Sequence, residues 1–421
     1  MTGGGERAAP VVLRPQRPAH GGTVVAHRDG RPVLVAYAMP GELVEAEPSG
    51  RRGGVELART VRVIEPSPDR VSAPCPHFGE CGGCQWQHAR YRRQLELKQQ
   101  VVEDAWRGVG LRLPVDTPVL GMEDPWRYRI RGEFEARYRA GRLELGFHRM
   151  RSHAVLPVHT CPIHDERIER ALPAFRQAAE ELGLHDLQSL RLTVEPTGRG
   201  LLWCAQRRGS SPGVDPALGV RVAELLPDLV LLDDSMSLEI WGLVFRVRND
   251  TFVQTNYRQM LVLYQVVVEM LQPRPTDSLL DLYAGIGSIG LLVANQVKSV
   301  LAVEENPAAV RLSVLNARIN GVGNFRALPG RAEEVLRHLR TGRHQAAVLD
   351  PPRAGCDAAV IAELLRLAPD RLVYVSCEPT TQARDVALLV QGGYRVRRAA
   401  IVDMFPHTYH VESVALLERA A

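Results

Sequence analysis

From about residue 246 onward, short apolar stretches alternate with longer stretches of helical pattern, and nothing else in the chain restricts its fold so tightly. The strand candidates are Leu279–Leu282, Ser299–Val303, Ala346–Leu349, Leu372–Val375, Val396–Val402 and Val411–Leu417. Apolar runs this short, separated by helices, predict a parallel sheet covered on both faces, a Rossmann-like α/β domain. Such a sheet binds its ligands at the carboxyl ends of its strands, so the residues just after each strand are the ones to read.

After the first strand stands Asp281-Leu-Tyr283-Ala-Gly285-Ile-Gly287-Ser288-Ile-Gly290, whose glycines permit a tight turn into a helix N-terminus. Glu304 ends the next strand, 23 residues beyond Asp281, where an acid can bind the two hydroxyls of a ribose. Together these predict a nucleoside cofactor, a dinucleotide included. The chain has no Gly-x-x-x-x-Gly-Lys loop, which argues against ATP. Asp350-Pro-Pro-Arg353 follows a later strand, and Ser376-Cys377-Glu378-Pro379 the one after it. A cysteine before a Glu-Pro step and a helix is placed where the helix dipole can stabilise a thiolate, so Cys377 reads as a nucleophile. Cys204 and Cys356 lack such a setting and read as structural. His407, His410 and Glu412, leading into the last strand, suit either a metal site or a general base beside that thiol.

Upstream, residues 9–66 carry four or five short strand candidates (Gly22–His27, Pro32–Tyr37, Leu43–Glu47 and Val55–Ile64 among them) separated by Asp-Gly, Pro-Gly and Gly-rich turns. That pattern predicts a small barrel of the oligonucleotide-binding type. Residues 67–245 read as a mixed α+β region, with a helix over Ala89–Val109 and strands over Arg127–Phe147 broken at Ala140-Gly141. A length of 421 residues leaves room for two to three domains, and 45% apolar with 24% charged residues excludes a disordered, collagen-like or coiled-coil chain. No run reaches the roughly 18 apolar residues that span a bilayer, and Met1–Arg17 has no apolar core of a secretion signal. A cytoplasmic protein without a membrane partner is expected. Net charge is only +4, but Lys98 and Lys298 are the only lysines. Arginine interleaved with aromatics in Arg90–Arg93 and Trp126–Arg131 is the pattern of a single-strand binder.

Cys75, Cys81 and Cys84 cluster, and Cys161 follows 77 residues later. In a cytosolic chain such a cluster reads as a metal site rather than a disulfide frame, and four thiolates suit zinc or a 4Fe–4S cluster alike.

The set Asp281–Gly287, Leu349–Arg353, Ser376–Pro379 and Phe405–Ser413 resembles the uracil-C5 RNA methyltransferases, with Phe252-Val-Gln254-Thr-Asn256 similar to the motif that opens their catalytic domain. The likeness runs in order over about residues 15 to 418. It implies three parts: a TRAM RNA-binding barrel over 9–66, an iron–sulfur segment and central RNA-binding domain over 67–245, and an S-adenosylmethionine-dependent methyltransferase domain over 246–421. It further implies Cys377 as nucleophile at carbon 6 of uracil, Glu412 as the base that removes the proton on carbon 5, and Asp350 beside the uracil. Gln254, Tyr283, Gly285, Ser288, Glu304 and Asp350 would line the S-adenosylmethionine pocket. Cys75, Cys81, Cys84 and Cys161 resemble the ligands of family members holding a 4Fe–4S cluster, which mostly act on 23S rRNA. Other members act on the T-loop of tRNA. A monomer is the simplest expectation. The chain departs from the family at Glu378, where asparagine is usual, and at Ala284, often a cysteine.

Other readings are an exocyclic-amine methyltransferase, a non-catalytic iron–sulfur RNA-binding protein and a radical methylthiotransferase. Arg353 in place of an aromatic speaks against the first, and intact Cys377 and Glu412 against the second. The absence of Cys-x3-Cys-x2-Cys speaks against the third.

Overall fold

The structure is a computed structural model that describes residues 9–150 and 152–420, so the first eight residues of the polar leading stretch lie outside the description. The chain forms two compact units. The first comprises Met1–Asp104, His148–Ala154 and Phe405–His410, and the second Ala105–Phe147, Val155–Met404 and Val411–Ala421.

The first unit is built on a six-stranded sheet in the order Val11–Leu13, Leu43–Arg52, Val55–Glu65, Arg31–Ala36, Thr23–Arg28, Arg17–Ala19. The strands expected from the sequence are present, and two short edge strands add to them. Alternation sends Val33 and Val35 inward with Ala26, Val44, Ala46 and Ala58. Register shifts between the two longest strands bend the sheet around this small core. Glu42 ties the following linker to the sheet. Against the cost of burial, Arg70 and the N–H groups of Ser67 and Met39 hold its carboxyl below the usual range. The loop carrying Cys75, Cys81 and Cys84 then leads into the Tyr91–Gly108 helix.

In the second unit a six-stranded sheet (Val155–Pro157, Arg142–His148, Arg131–Arg139, Leu187–Val194, Gly200–Arg207, Val230–Leu232) packs on the Glu166–Glu181 and Pro216–Leu225 helices through Phe134, Phe175, Leu190 and Trp203. Here the arginine–aromatic segment Trp126–Arg131 finds internal partners. Tyr128 is buried, Arg127 pairs with Glu169, and Arg131 donates to Thr193 and to the Thr251 carbonyl. These guanidinium groups also brace the fold, with Arg127 still about a third exposed.

The other large sheet has eight strands, ordered Phe325–Pro329, Ser299–Glu304, Ser278–Leu282, Ala346–Leu349, Arg371–Ser376, Glu412–Arg419, Tyr394–Val402, Val119–Leu120. The first five are parallel, as the apolar runs predict. Glu412–Arg419 is antiparallel to both neighbours, a departure from the all-parallel expectation. Its cause is the short connection after Tyr394–Val402, which contains no crossover helix and turns the chain straight back. Phe325–Pro329 escaped the sequence reading because no residue in it is fully buried.

Candidate active site

The Ser278–Leu282 strand delivers Asp281 into the interior, where its carboxylate accepts the Gly290 N–H at 2.9 Å. A Cβ on Gly290 would stand 2.7 Å from that oxygen and 2.9 Å from Val300, so the helix start can come this close only as glycine. The intervening turn is left-handed at Tyr283, Gly285 and Gly287. Burial pushes Asp281 up to about 7, against the Gly290 N–H and with help from Asp350 and Glu304.

This turn forms one wall of a cleft whose lining includes Gln254, Tyr283, Gly285, Ser288 and Asp350, five of the six residues expected there. Glu304, the sixth, accepts the Gly285 N–H at 2.9 Å and the Asn306 N–H at 2.7 Å. Its carboxylate retains lone pairs for further donors. Two residues after Gln254, Asn256 caps the Tyr257–Leu271 helix and donates to the Met404 carbonyl at 3.0 Å. The sequence reading missed Tyr264 and Met260, and took Phe252 only as part of the opening motif, although all three line the same cleft. It also missed a second cleft of about 540 Å³ that shares Tyr283 and reaches Glu305, Arg331 and Asp357. Arg331 follows the unread Phe325–Pro329 strand, so its place at a strand end gave no signal.

Three titratable groups gather at the ends of the middle strands. Ser376 pairs with Ser413 in antiparallel register, so the next residues outward, Cys377 and Glu412, stand across from each other. Leu349 pairs with Tyr374 in parallel register, so Asp350 emerges beside the same strand end. The electrostatics agree with this grouping. Burial, with help from Glu412 and Asp350 and against Arg353, pushes the half-buried Cys377 thiol up to about 11. Burial also lifts Asp350 and Glu412 well above the carboxylate range, and Asp350 adds to the rise at Glu412. Asp350 therefore faces both the cleft and the thiol. The groups around Cys377 thus act in both directions, burial and the two carboxyls raising the thiol and Arg353 lowering it. Glu378 has a local task, capping the Pro379–Gln391 helix and accepting the Thr380 hydroxyl at 2.6 Å. Cys356 is buried, with its thiol pushed up to about 12, and Cys204 is buried too.

The cysteine set divides between the units. In the first, Cys75 donates its N–H to Gln87 at 3.2 Å, and the Gly83 N–H lies 3.4 Å from the Cys81 sulfur. In the second, the Cys161 N–H donates to Glu169, and its carbonyl accepts from Arg127. Among the described residues no group of three or more His, Cys, Asp or Glu side chains is gathered to hold an ion, at this loop or around His407 and His410. Among them also, no helix is long and apolar enough to cross a membrane.

Residues 226–420 match the family model described as tRNA (uracil-5-)-methyltransferase. The chain is 35% identical to an RNA methyltransferase of Halalkalibacterium halodurans, over 95% of this chain and 94% of that one. An RNA methyltransferase of Gloeobacter violaceus is 34% identical, over 96% and 95%. The fold is that of the Pyrococcus abyssi tRNA (uracil-54, C5)-methyltransferase in complex with S-adenosyl-L-homocysteine. That comparison gives a TM-score of 0.75 at 22% identity, covering 96% of this chain and 99% of that chain. With a lined cleft, a thiol and a carboxyl at adjoining strand ends, and relatives matched along nearly their whole length, the chain belongs to the uracil-C5 RNA methyltransferase family and uses S-adenosylmethionine to methylate RNA.

Proposed function

We propose that this enzyme methylates carbon 5 of a uridine in 23S rRNA through a covalent bond between Cys377 and carbon 6. The observation that supports the covalent route is the placement of Cys377 opposite Glu412, one step beyond the Ser376–Ser413 pair, whereas the 23S rRNA target rests on the likeness of the four cysteines to those of cluster-holding family members. Carbon 5 of uracil is a weak nucleophile. Addition of the Cys377 thiolate at carbon 6 forms a C–S bond and pushes an electron pair through carbon 5 onto the carbonyl at carbon 4, giving an enolate. S-adenosylmethionine, when bound, supplies an electrophilic methyl group. Glu412 then takes the proton from the methylated carbon 5. The released pair restores the ring double bond and expels the thiolate. Arg353 favours the charged forms of both Cys377 and Glu412.

Gln254, Tyr283, Gly285, Ser288, Glu304 and Asp350 would hold the cofactor. Its ammonium and sulfonium charges complement the acid-lined cleft, whose Asp281 and Asp350 titrate high while it stands alone. The target uridine must be unpaired or flipped out of a helix, and the N-terminal sheet is proposed as the TRAM-type RNA-holding part. Such RNA is met in the cytoplasm, and a monomer suffices for the chemistry. Cys75, Cys81, Cys84 and Cys161 are proposed to hold a 4Fe–4S cluster, which the chemistry of the four thiols supports. The N–H beside the Cys81 sulfur is of the kind that tunes such clusters. No step above passes through it.

A second reading, the T-loop uridine of tRNA, is favoured by the descriptions of the matched family and of the Pyrococcus enzyme. One assay separates the two. The protein is incubated with methyl-labelled S-adenosylmethionine and with 23S rRNA or tRNA lacking the modification. Labelled 5-methyluridine in 23S rRNA is expected, whereas label in tRNA alone would transfer the assignment to the T-loop. Label without a covalent adduct to 5-fluorouridine RNA would remove the Cys377 mechanism.

A further inference from the structure

Within the second unit, the Pro379–Gln391 helix begins two residues after Cys377 and carries a second loop on one of its faces. That loop, residues 353–356, follows Asp350-Pro-Pro. Thr381 donates its hydroxyl to the Arg353 carbonyl at 3.0 Å. One turn on, the Asp385 carboxyl accepts the Cys356 N–H at 2.8 Å on Oδ2 and Arg384 Nε at 2.8 Å on Oδ1. The Arg384 guanidinium in turn donates to the carbonyls of Ala354 at 3.0 Å and Cys356 at 3.1 Å. Between these bonds Gly355 lies against the helix at φ +77°. A Cβ there would stand 2.6 Å from Asp385 Oδ2, 2.7 Å from Arg384 and 3.0 Å from the Thr381 Cβ, so only glycine permits the approach. Asp385 is buried and also accepts the Tyr374 hydroxyl at 2.6 Å. Tyr374 stands on the strand that ends at Ser376, immediately before Cys377.

We infer that Thr381 and Asp385 are positioning residues for the Cys377 thiol, acting through loop 353–356 to keep the Arg353 guanidinium beside it. The inference rests on the proposed role of Cys377 as nucleophile. The charged groups that act on this thiol are Glu412, Asp350 and Arg353, and of these Arg353 alone favours the thiolate. An opposite charge shifts a titratable group strongly only within about 4–6 Å. A loop free to drift would therefore leave the thiol to the two carboxyls. Because one strand and the helix after it carry Cys377 and also grip the Arg353 loop, thiol and cation are fixed to the same framework.

Two full-length variants test this. Thr381→Val keeps the shape of the side chain and removes the hydroxyl that holds Arg353. Asp385→Asn keeps an acceptor for Cys356 and Tyr374 but turns an amide N–H toward Arg384, loosening its grip on Ala354 and Cys356. Two rates are read at pH 7.5: alkylation of Cys377 by iodoacetamide, followed on its own peptide by mass spectrometry, and adduct formation with 5-fluorouridine RNA. Each variant should slow both rates by roughly threefold to tenfold, and by no more than Arg353→Gln does. In the Arg353→Gln background neither should slow them further, because the charge that they hold in place is gone. A purely structural role would add the same loss in both backgrounds, and that result would overturn the inference. Parent rates in the single variants, or in Arg353→Gln itself, would overturn it equally. Should Asp385→Asn fail to fold, Thr381→Val carries the test with the same outcomes. The alkylation arm needs no RNA and so separates the two claims. A parent protein that alkylates at Cys377 but forms no RNA adduct overturns the nucleophile assignment, while the alkylation rates of the variants still decide the positioning role.

Discussion

At Cys377 the cost of burial and the neighbouring carboxyls outweigh Arg353, and the thiol is pushed up to about 11. A nucleophile in that state is activated by rising pH. Adduct formation with 5-fluorouridine RNA should therefore accelerate between pH 7 and 10, and a flat profile would show that the thiol is already ionised in the complex. Arg353→Gln removes the one group that lowers both Cys377 and Glu412. It should slow adduct formation at pH 7.5 by roughly tenfold, the equivalent of about 1.4 kcal/mol. Asp281 responds to pH with the opposite consequence for stability. Its folded pKa of about 7 lies above its unfolded value. Its protonated form therefore favours folding at low pH, and that contribution is lost as pH rises through 7. Asp281→Asn should accordingly gain in melting temperature relative to the parent as pH goes from 5 to 8, and a constant difference would contradict the shift. These side chains were recognisable in the sequence by residue type and by position after a strand. Their pKa values were not, because burial and the convergence of Asp350, Arg353 and Glu412 depend on which strands become neighbours.

The connecting elements explain why the glycine turn was legible and the rest less so. Gly290 lies where a Cβ would press on Asp281 and Val300, so its motif is a direct imprint of close approach. Gly290→Ala should cost about 1–3 kcal/mol of stability by overpacking and weaken S-adenosylmethionine binding, as measured by calorimetry. Glu378, which departs from the family pattern, is a helix cap, so Glu378→Ala should cost about 1 kcal/mol while leaving the rate of Cys377 addition within twofold. A large loss in that rate would give position 378 a part in the reaction. Parallel strands announced themselves as short apolar runs. The reversed Glu412–Arg419 strand has the same composition, being buried on both faces, and only the short connection before it betrays its direction. Phe325–Pro329, little buried at the sheet edge, left no apolar run to read. At Trp126–Arg131 the internal partners were not legible, because arginines that brace a fold and arginines that hold RNA look alike until their partners are known.

At the scale of the molecule, both units draw on segments far apart in sequence, and the Phe405–His410 and His148–Ala154 insertions into the first have no local signature. Spacing alone likewise left the metal of the four cysteines undecided. Anaerobically purified protein should be brown, and Cys81→Ser should lose colour and iron together; colourless protein carrying zinc would replace the cluster with a zinc site. The central claim is the division of labour between Cys377 and Glu412, and denaturing gels with methyl-labelled S-adenosylmethionine and ordinary uridine RNA test it most directly. Glu412→Gln should accumulate a covalent protein–RNA band that carries the label, while Cys377→Ala forms neither band nor 5-methyluridine. Normal turnover by Glu412→Gln, or methylation by Cys377→Ala, would contradict the account.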